Sequence, residues 1–259
     1  MRMPALFVGH GNPMNAIERN EYFRGWQDIA RRLPKPVAIL CVSAHWETQG
    51  AWVTASAHPP TIHDFYGFPK ALFDVRYPAP GAPWLAERVA ALVTSERVQQ
   101  DPARGLDHGA WSVLVAMYPA ADIPVVQLGM DTGRPGPHHY AIGRQLAPLR
   151  DQDVLVLASG NMVHNLGLFR FHDPKPQAWA EACDEELQRR ISAGDHAALM
   201  DPGSLGPDMR LAVPTPEHYY PLLYALALQQ EGEPLVFFNA GVIGSLSMTS
   251  VLIGGGLQA

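Results

Sequence analysis

Pro36-Val-Ala-Ile-Leu-Cys-Val-Ser-Ala44 is the stretch on which the fold turns. Only Ser43 in it is polar, so it does not alternate between a wet and a dry face. A strand of that kind is covered on both sides, as in sheets with helices packed on each face. Its proline stands first, a position a strand tolerates. The rest of the chain fits this plan. Pro4–Val8, Ile123–Leu128, Val154–Ala158 and Leu235–Asn239 read as further strands, the last two buried, and Ala51–Ala55 as a strand adjacent to the second. Between them, Glu21–Leu33 places Phe23, Trp26, Ile29, Ala30 and Leu33 at helical spacing. Trp84–Leu92, Ala110–Met117, His138–Leu149, Pro176–Ile191 and Pro216–Leu228 read as helices too. Pro216 opens the last of these, where a missing N–H costs nothing. The expected fold is α/β: a single-domain sandwich over residues 1–259, with a central mainly parallel or mixed sheet flanked by helices. Tyr77–Pro83, Gly133–Pro137 and Asp201–Pro207 read as long loops inside that domain.

Composition agrees. Hydrophobic residues make up 47% of the 259 and charged residues 17%, enough for a large core and too apolar for extensive disorder. The net charge is −6 and no block of Lys and Arg occurs, which argues against a nucleic-acid or membrane-surface partner. The longest strand-like apolar run, Val37–Ala44, is far shorter than the roughly 20 residues a bilayer requires. Met1–His10 is too short for a signal peptide before Gly11 and Pro13 interrupt it. With only Cys41 and Cys183, no disulfide framework is expected, and a reducing, cytoplasmic setting fits. No pattern selects between a monomer and a small homo-oligomer.

The chemistry lies in the histidines. His10 closes the first strand and His45 the second; His164 follows the strand at Val154–Ala158; His218 sits in the first turn of the Pro216 helix. In an open α/β sheet, ligands bind beyond the carboxyl ends of the strands, so these residues are expected at one functional edge. His108, ahead of a helix, can return to the same edge. Imidazole is the commonest neutral metal ligand and suits zinc and iron. Gly9, Gly11 and Gly160 allow sharp backbone bends beside His10 and His164. Asn12, Asn161 and Asn165 are candidates to orient the imidazoles by hydrogen bonds. One histidine after a strand is more often a hydrogen-bonded loop residue than a ligand, but a set gathered at strand ends is not explained that way. His138, His139, His172 and His196 are expected at the solvated surface, and His58 and His63 beside Pro59-Pro60 as possible pocket lining. Gly-x-Gly at Gly9–Gly11 lacks the further glycine of a dinucleotide fingerprint. Ser43 and Ser159 lack a nucleophile elbow.

Six segments together resemble a known family. They are Gly9–Met14, Ser43–Trp46, His63–Pro69, Gly105–Gly109, Ser159–Leu166 and Thr215–Tyr219. In this order they are similar to the class III extradiol ring-cleavage dioxygenases, most of all the 4,5-DOPA extradiol dioxygenase subgroup. The resemblance implies a fold like that family's catalytic subunit and one divalent metal ion per chain. It implies that His10, His45 and His218 are metal ligands and that His164 is the acid/base histidine, with contact to the metal as a second role. His108 would bind substrate or oxygen. The wider family holds Fe(II) with two histidines and a carboxylate. Here the third position is His218, with Glu217 beside it. An all-histidine set also suits Zn(II), which has no redox chemistry of its own. Fe(II) is therefore expected for O₂ chemistry and Zn(II) as a metal found on isolation. The implied partners are a catechol, DOPA-like, and O₂, with His63, Phe65, Tyr66 and Phe68 walling an apolar slot for the ring. A zinc-dependent hydrolase and a non-enzymatic binding protein on the same fold are the alternatives.

Overall fold

A computed structural model describes residues 2–255. Its strands are β1 (Ala5–Gly9), β2 (Ala38–Glu47), β3 (Trp52–Thr54), β4 (Gln99–Asp101), β5 (Val125–Met130), β6 (Val154–Gly160), β7 (Leu235–Phe238), β8 (Val242–Ile243), β9 (Leu246–Ser247) and β10 (Ser250–Ile253). Its α-helices are α1 (Glu21–Arg32), α2 (Lys70–Phe73), α3 (Pro83–Leu92), α4 (His108–Met117), α5 (Gly136–Leu146), α6 (Ala178–Ser192), α7 (His196–Leu199), α8 (Pro207–Ala212) and α9 (Tyr220–Ala227). Eight strands form one mixed sheet in the order β4-β3-β5-β2-β6-β1-β10-β7, and β8 pairs with β9. The central β5-β2-β6-β1 block is parallel; β3, β10 and β7 join their inner neighbours antiparallel.

β2 shows why its sequence does not alternate. Ala38, Leu40 and Val42 face one core, shared with α3, α5, α6 and α9, while Ile39 and Cys41 face a second core under α1 and α4. Each fully buried large apolar side chain is worth ~1.5–3 kcal/mol, so both cores hold the strand. Asn20 caps α1 by accepting from the Phe23 N–H, and that helix buries Phe23, Trp26, Ile29 and Ala30, the face the spacing predicts. Cys41 and Cys183 are both buried and unpaired.

Several expectations shift. β2 runs on through Glu47, so His45 lies inside the strand near its end. β3 pairs with β5 and β4, one strand removed from β2. β7 is an edge strand and only partly buried. The Pro216 helix starts later, at Tyr220, with Pro221 in its first turn; Pro216–Tyr219 form the turn before it. α5 gives way at Ala147–Gln152 to a 3₁₀ turn that contains Pro148. His139 is fully buried between α5 and α9. Its Nε2–H faces the Arg134 carbonyl at 3.3 Å, its Nδ1 accepts from the Tyr224 hydroxyl at 3.0 Å, and its ring packs on Tyr220. His138 sits 2.8 Å from Glu96, and His196 Nδ1 bonds the Tyr140 hydroxyl.

One buried carboxylate braces the end of the sheet nearest His164. Asp184 on α6 accepts from Ser247 Oγ (2.5 Å), Thr249 Oγ1 (2.8 Å) and Gln188 Nε2 (2.7 Å). That fixes the β9–β10 segment, whose Ser247 N–H and Leu246 in turn hold Val163 and His164.

Candidate active site

The parallel register Gly9↔Gly160 and Ser43↔Ser159 brings the ends of β1, β2 and β6 to one edge. His10 leaves β1 with its N–H on the Gly160 carbonyl at 3.0 Å. His164 follows β6, its N–H on the Ala212 carbonyl at 2.9 Å. The His218 carbonyl accepts from the Asn161 N–H at 2.8 Å. A Cβ on Gly160 would stand 2.1 Å from that carbonyl oxygen, so a side chain there would expel the His218 turn. His108 opens α4, whose cap is Asp107. A Cβ on Gly109 would lie 2.3 Å from Ser43 Oγ and 2.9 Å from His45 Cδ2, so glycine is what lets the helix end approach the strand.

Five imidazoles meet at this edge. His10 Nε2 and His45 Nε2 are 3.1 Å apart. His10, His45 and His218 each offer one nitrogen within 4.8 Å of the others. Nitrogens ~2.1 Å from a common ion stand ~3.0 Å apart at a right angle and ~3.4 Å apart at a tetrahedral angle, so the 3.1 Å pair fits one shared cation. The His45 and His108 rings are 3.8 Å apart, and His164 stacks on His218 at 3.5 Å and 6°. His164 also offers a nitrogen within 4.8 Å of ligand atoms on Glu217 and His218, so these three form a second candidate ligand group that shares His218.

The outer nitrogens decide what faces inward. Ser159 Oγ gives its one proton to the Gly109 carbonyl at 2.6 Å. It must therefore accept from His10 Nδ1–H at 3.0 Å, which leaves the His10 Nε2 lone pair at the centre. His218 Nδ1–H donates to Glu217 Oε1 at 3.0 Å, so its Nε2 is likewise free, and Thr215 Oγ1 donates to the same carboxylate oxygen. Burial, joined by neighbouring histidines, holds His10 and His45 well below the usual imidazole range. Burial also lowers His218, against the pull of Glu217. These groups stay neutral, the form a metal ligand needs. Burial and then His218 push His164 down to about 3, so it too is neutral, far from the near-neutral titration its role suggests.

The three asparagines do not orient the imidazoles. Asn12 accepts from the Met14 N–H, Asn161 Nδ2 donates to the Ser247 carbonyl, and Asn165 Nδ2 donates to the Leu211 carbonyl. They fix the loops, while Ser159, Glu217 and Asp64 take the side-chain role. Asp64 Oδ2 lies 3.0 Å from His108 Nδ1 and 3.8 Å from His45 Nδ1, and its Oδ1 accepts the His108 N–H at 2.9 Å. Buried Asp107 supports the same pair from below. It accepts from Ser43 Oγ and Gln127 Nε2, and Ser43 Oγ accepts the His45 N–H. The sequence signal for each is its place in a motif: Asp64 between His63 and Phe65, and Ser159 at the start of the Ser159–Leu166 segment.

Of the aromatic loop, Phe65 reaches the site, 5.5 Å from His108, with Phe68 5.3 Å behind it. His63 is turned away, its Nε2 on the Val75 carbonyl and its ring against Phe73 and Trp111. Tyr66 is 91% exposed and His58 lies at the surface. A cleft of about 480 Å³ between α5 and the Val213–Pro216 loop holds none of the five histidines.

The family model for the catalytic LigB subunit of aromatic ring-opening dioxygenases matches residues 3–239, and the chain belongs to that family. It is an extradiol dioxygenase, which leaves no place for a hydrolase or a non-enzymatic binder. It is 48% identical to the 4,5-DOPA dioxygenase extradiol of Escherichia coli K12, over 98% of this chain and 95% of that one. It is 39% identical to the enzyme of the same name from Beta vulgaris, over 87% of each. The crystal structure of an uncharacterized protein from Escherichia coli K12 superposes with a TM-score of 0.86 at 44% identity, covering 98% of this chain and all of that one.

Proposed function

We propose that this chain, acting as a single catalytic domain, opens the ring of a catechol with O₂ at one Fe(II) held by His10, His45 and His218. The observation that carries the reading is the convergence of those three nitrogens, with the His10 and His218 lone pairs forced inward by Ser159 and Glu217. When bound, the ion would supply Lewis acidity toward a catechol and the redox chemistry that O₂ activation needs. A metal face of three neutral imidazoles also accepts Zn(II), so an isolated sample can carry zinc without ring-opening activity.

The protein's own groups do the rest. His164, neutral and stacked on His218, is placed to take a phenolic proton and to return it. His108 hydrogen-bonds the bound substrate or oxygen. Phe65, with Phe68 behind it, forms an apolar wall for the ring. Anaerobic loading with Fe(II), followed by oxygen uptake with a panel of catechols, tests the proposal. One O₂ consumed per catechol with a yellow ring-opened product supports it; oxidation to quinone without ring opening contradicts it.

A further inference from the structure

Asp64 was not among the residues expected to do chemistry, yet it is the carboxylate nearest His108. Both of its oxygens are engaged there: Oδ1 holds the His108 backbone N–H at 2.9 Å, and Oδ2 stands 3.0 Å from the ring Nδ1. The second contact is short but bent, and His108 Nδ1 is buried with no better-aligned partner. Hydrogen bonds of this kind are commonly misaligned in a site without substrate. The loop that carries Asp64 is itself fixed. Trp111 Nε1 on α4 donates to the Ile62 carbonyl at 2.7 Å, and the Ile62 N–H donates to the Leu106 carbonyl at 2.7 Å. The carboxylate therefore sits between the aromatic wall at Phe65 and the start of α4, tied to His108 at the backbone N–H.

We infer that Asp64 is a positioning residue that fixes the tautomer of His108. A carboxylate only accepts, so it selects the Nδ1–H form of the ring and leaves Nε2 bare. His108 then meets a substrate hydroxyl as a hydrogen-bond acceptor, not as a donor to oxygen. This deepens the proposed function by choosing between the two roles open to His108, and it rests on that reading only for its kinetic consequence.

The test uses the full chain, loaded with diamagnetic Zn(II) and labelled with ¹⁵N-histidine. Long-range ¹H–¹⁵N spectra report the His108 tautomer directly, whether or not the enzyme cleaves catechols. The expected result is Nδ1–H in the wild type. In Asp64→Asn, Oδ1 keeps the backbone N–H, so the amide NH₂ faces the ring and the expected form is Nε2–H. With Fe(II), that variant should keep one ion per chain and KM within about threefold while kcat falls on the order of 100-fold or more, as when a triad aspartate is made asparagine. Asp64→Glu should recover part of the loss. A wild-type ring in the Nε2–H form overturns the inference, even if the variant fails to fold. So does Asp64→Asn with wild-type kcat. If the wild type shows no oxygen uptake, the functional reading fails, but the tautomer still decides the role of Asp64.

Discussion

The rings of His164 and His218 lie face to face, 3.5 Å apart and 6° from parallel. His218 is tied at Nδ1 by Glu217, whereas among the described residues no side chain hydrogen-bonds His164, whose backbone is fixed at Ala212 and Leu246. On the proposed function the two rings have separate roles: His218 binds the ion and His164 moves a proton. His164→Ala should keep metal affinity within a few-fold and lower kcat by about 100-fold or more. His164→Phe should keep the stack and lose the same activity. Chelator competition and steady-state kinetics measure the two effects separately. A large loss of metal with intact turnover per bound ion would reverse the assignment.

Ser159→Ala removes the acceptor that fixes the His10 tautomer. The expected outcome is metal affinity lowered by about 10–100-fold, in the range found when a ligand's outer partner is lost. Competition against a zinc-sensitive dye measures it. Wild-type affinity would mean that His10 finds its orientation elsewhere.

Gly109→Ala forces a methyl into the buried Ser43 Oγ and the half-buried His45 ring. Overpacking of this kind costs ~1–3 kcal/mol, and the strain falls on the metal face as well as on the fold. A lower melting temperature together with weaker metal binding is expected. Loss of stability with untouched metal affinity would show that α4, not β2, gives way.

His139 supplies a pH test outside the site. Burial, aided by His138, pushes it down to about 4, while the unfolded chain titrates near 6.5. The native state thus takes up its proton at lower pH than the unfolded state does. The stability linked to His139 is complete above pH 6.5 and is lost as pH falls toward 4, by about 3 kcal/mol at most. Urea unfolding at pH 7 and pH 5 should show a drop in the wild type that exceeds the drop in His139→Gln by about 2 kcal/mol. Equal drops would place the acid sensitivity in other groups.

Much of this molecule is legible in its sequence, and the exceptions have physical causes. β2 and β6 are near-continuous apolar runs, and α1 repeats its apolar residues with a clear period, so burial alone identifies them. β4 is Gln99-Gln100-Asp101, a polar edge held by ladder bonds to β3, and β10 is four residues between loops; neither has a pattern longer than noise. Pro216 and Pro221 both read as helix openers, and only packing shows that α9 begins at Tyr220 and leaves His218 in the turn before it. His139 lacked a strand-end context, yet its burial depends on Tyr220 and Tyr224, distant in sequence. In the site, the five imidazoles stood out as motif residues, but Ser159 and Asp64 matter through a single hydrogen-bond geometry that no spacing reveals.

The central claim is that three imidazoles from β1, β2 and the turn before α9 hold one ion. Metal content after Fe(II) or Zn(II) loading, measured on the wild type, His10→Ala, His45→Ala, His218→Ala and His164→Ala, tests it most directly. The account predicts one ion per chain in the wild type and in His164→Ala, and close to none in the other three. Full occupancy in any of those three, or two ions in the wild type, would contradict it.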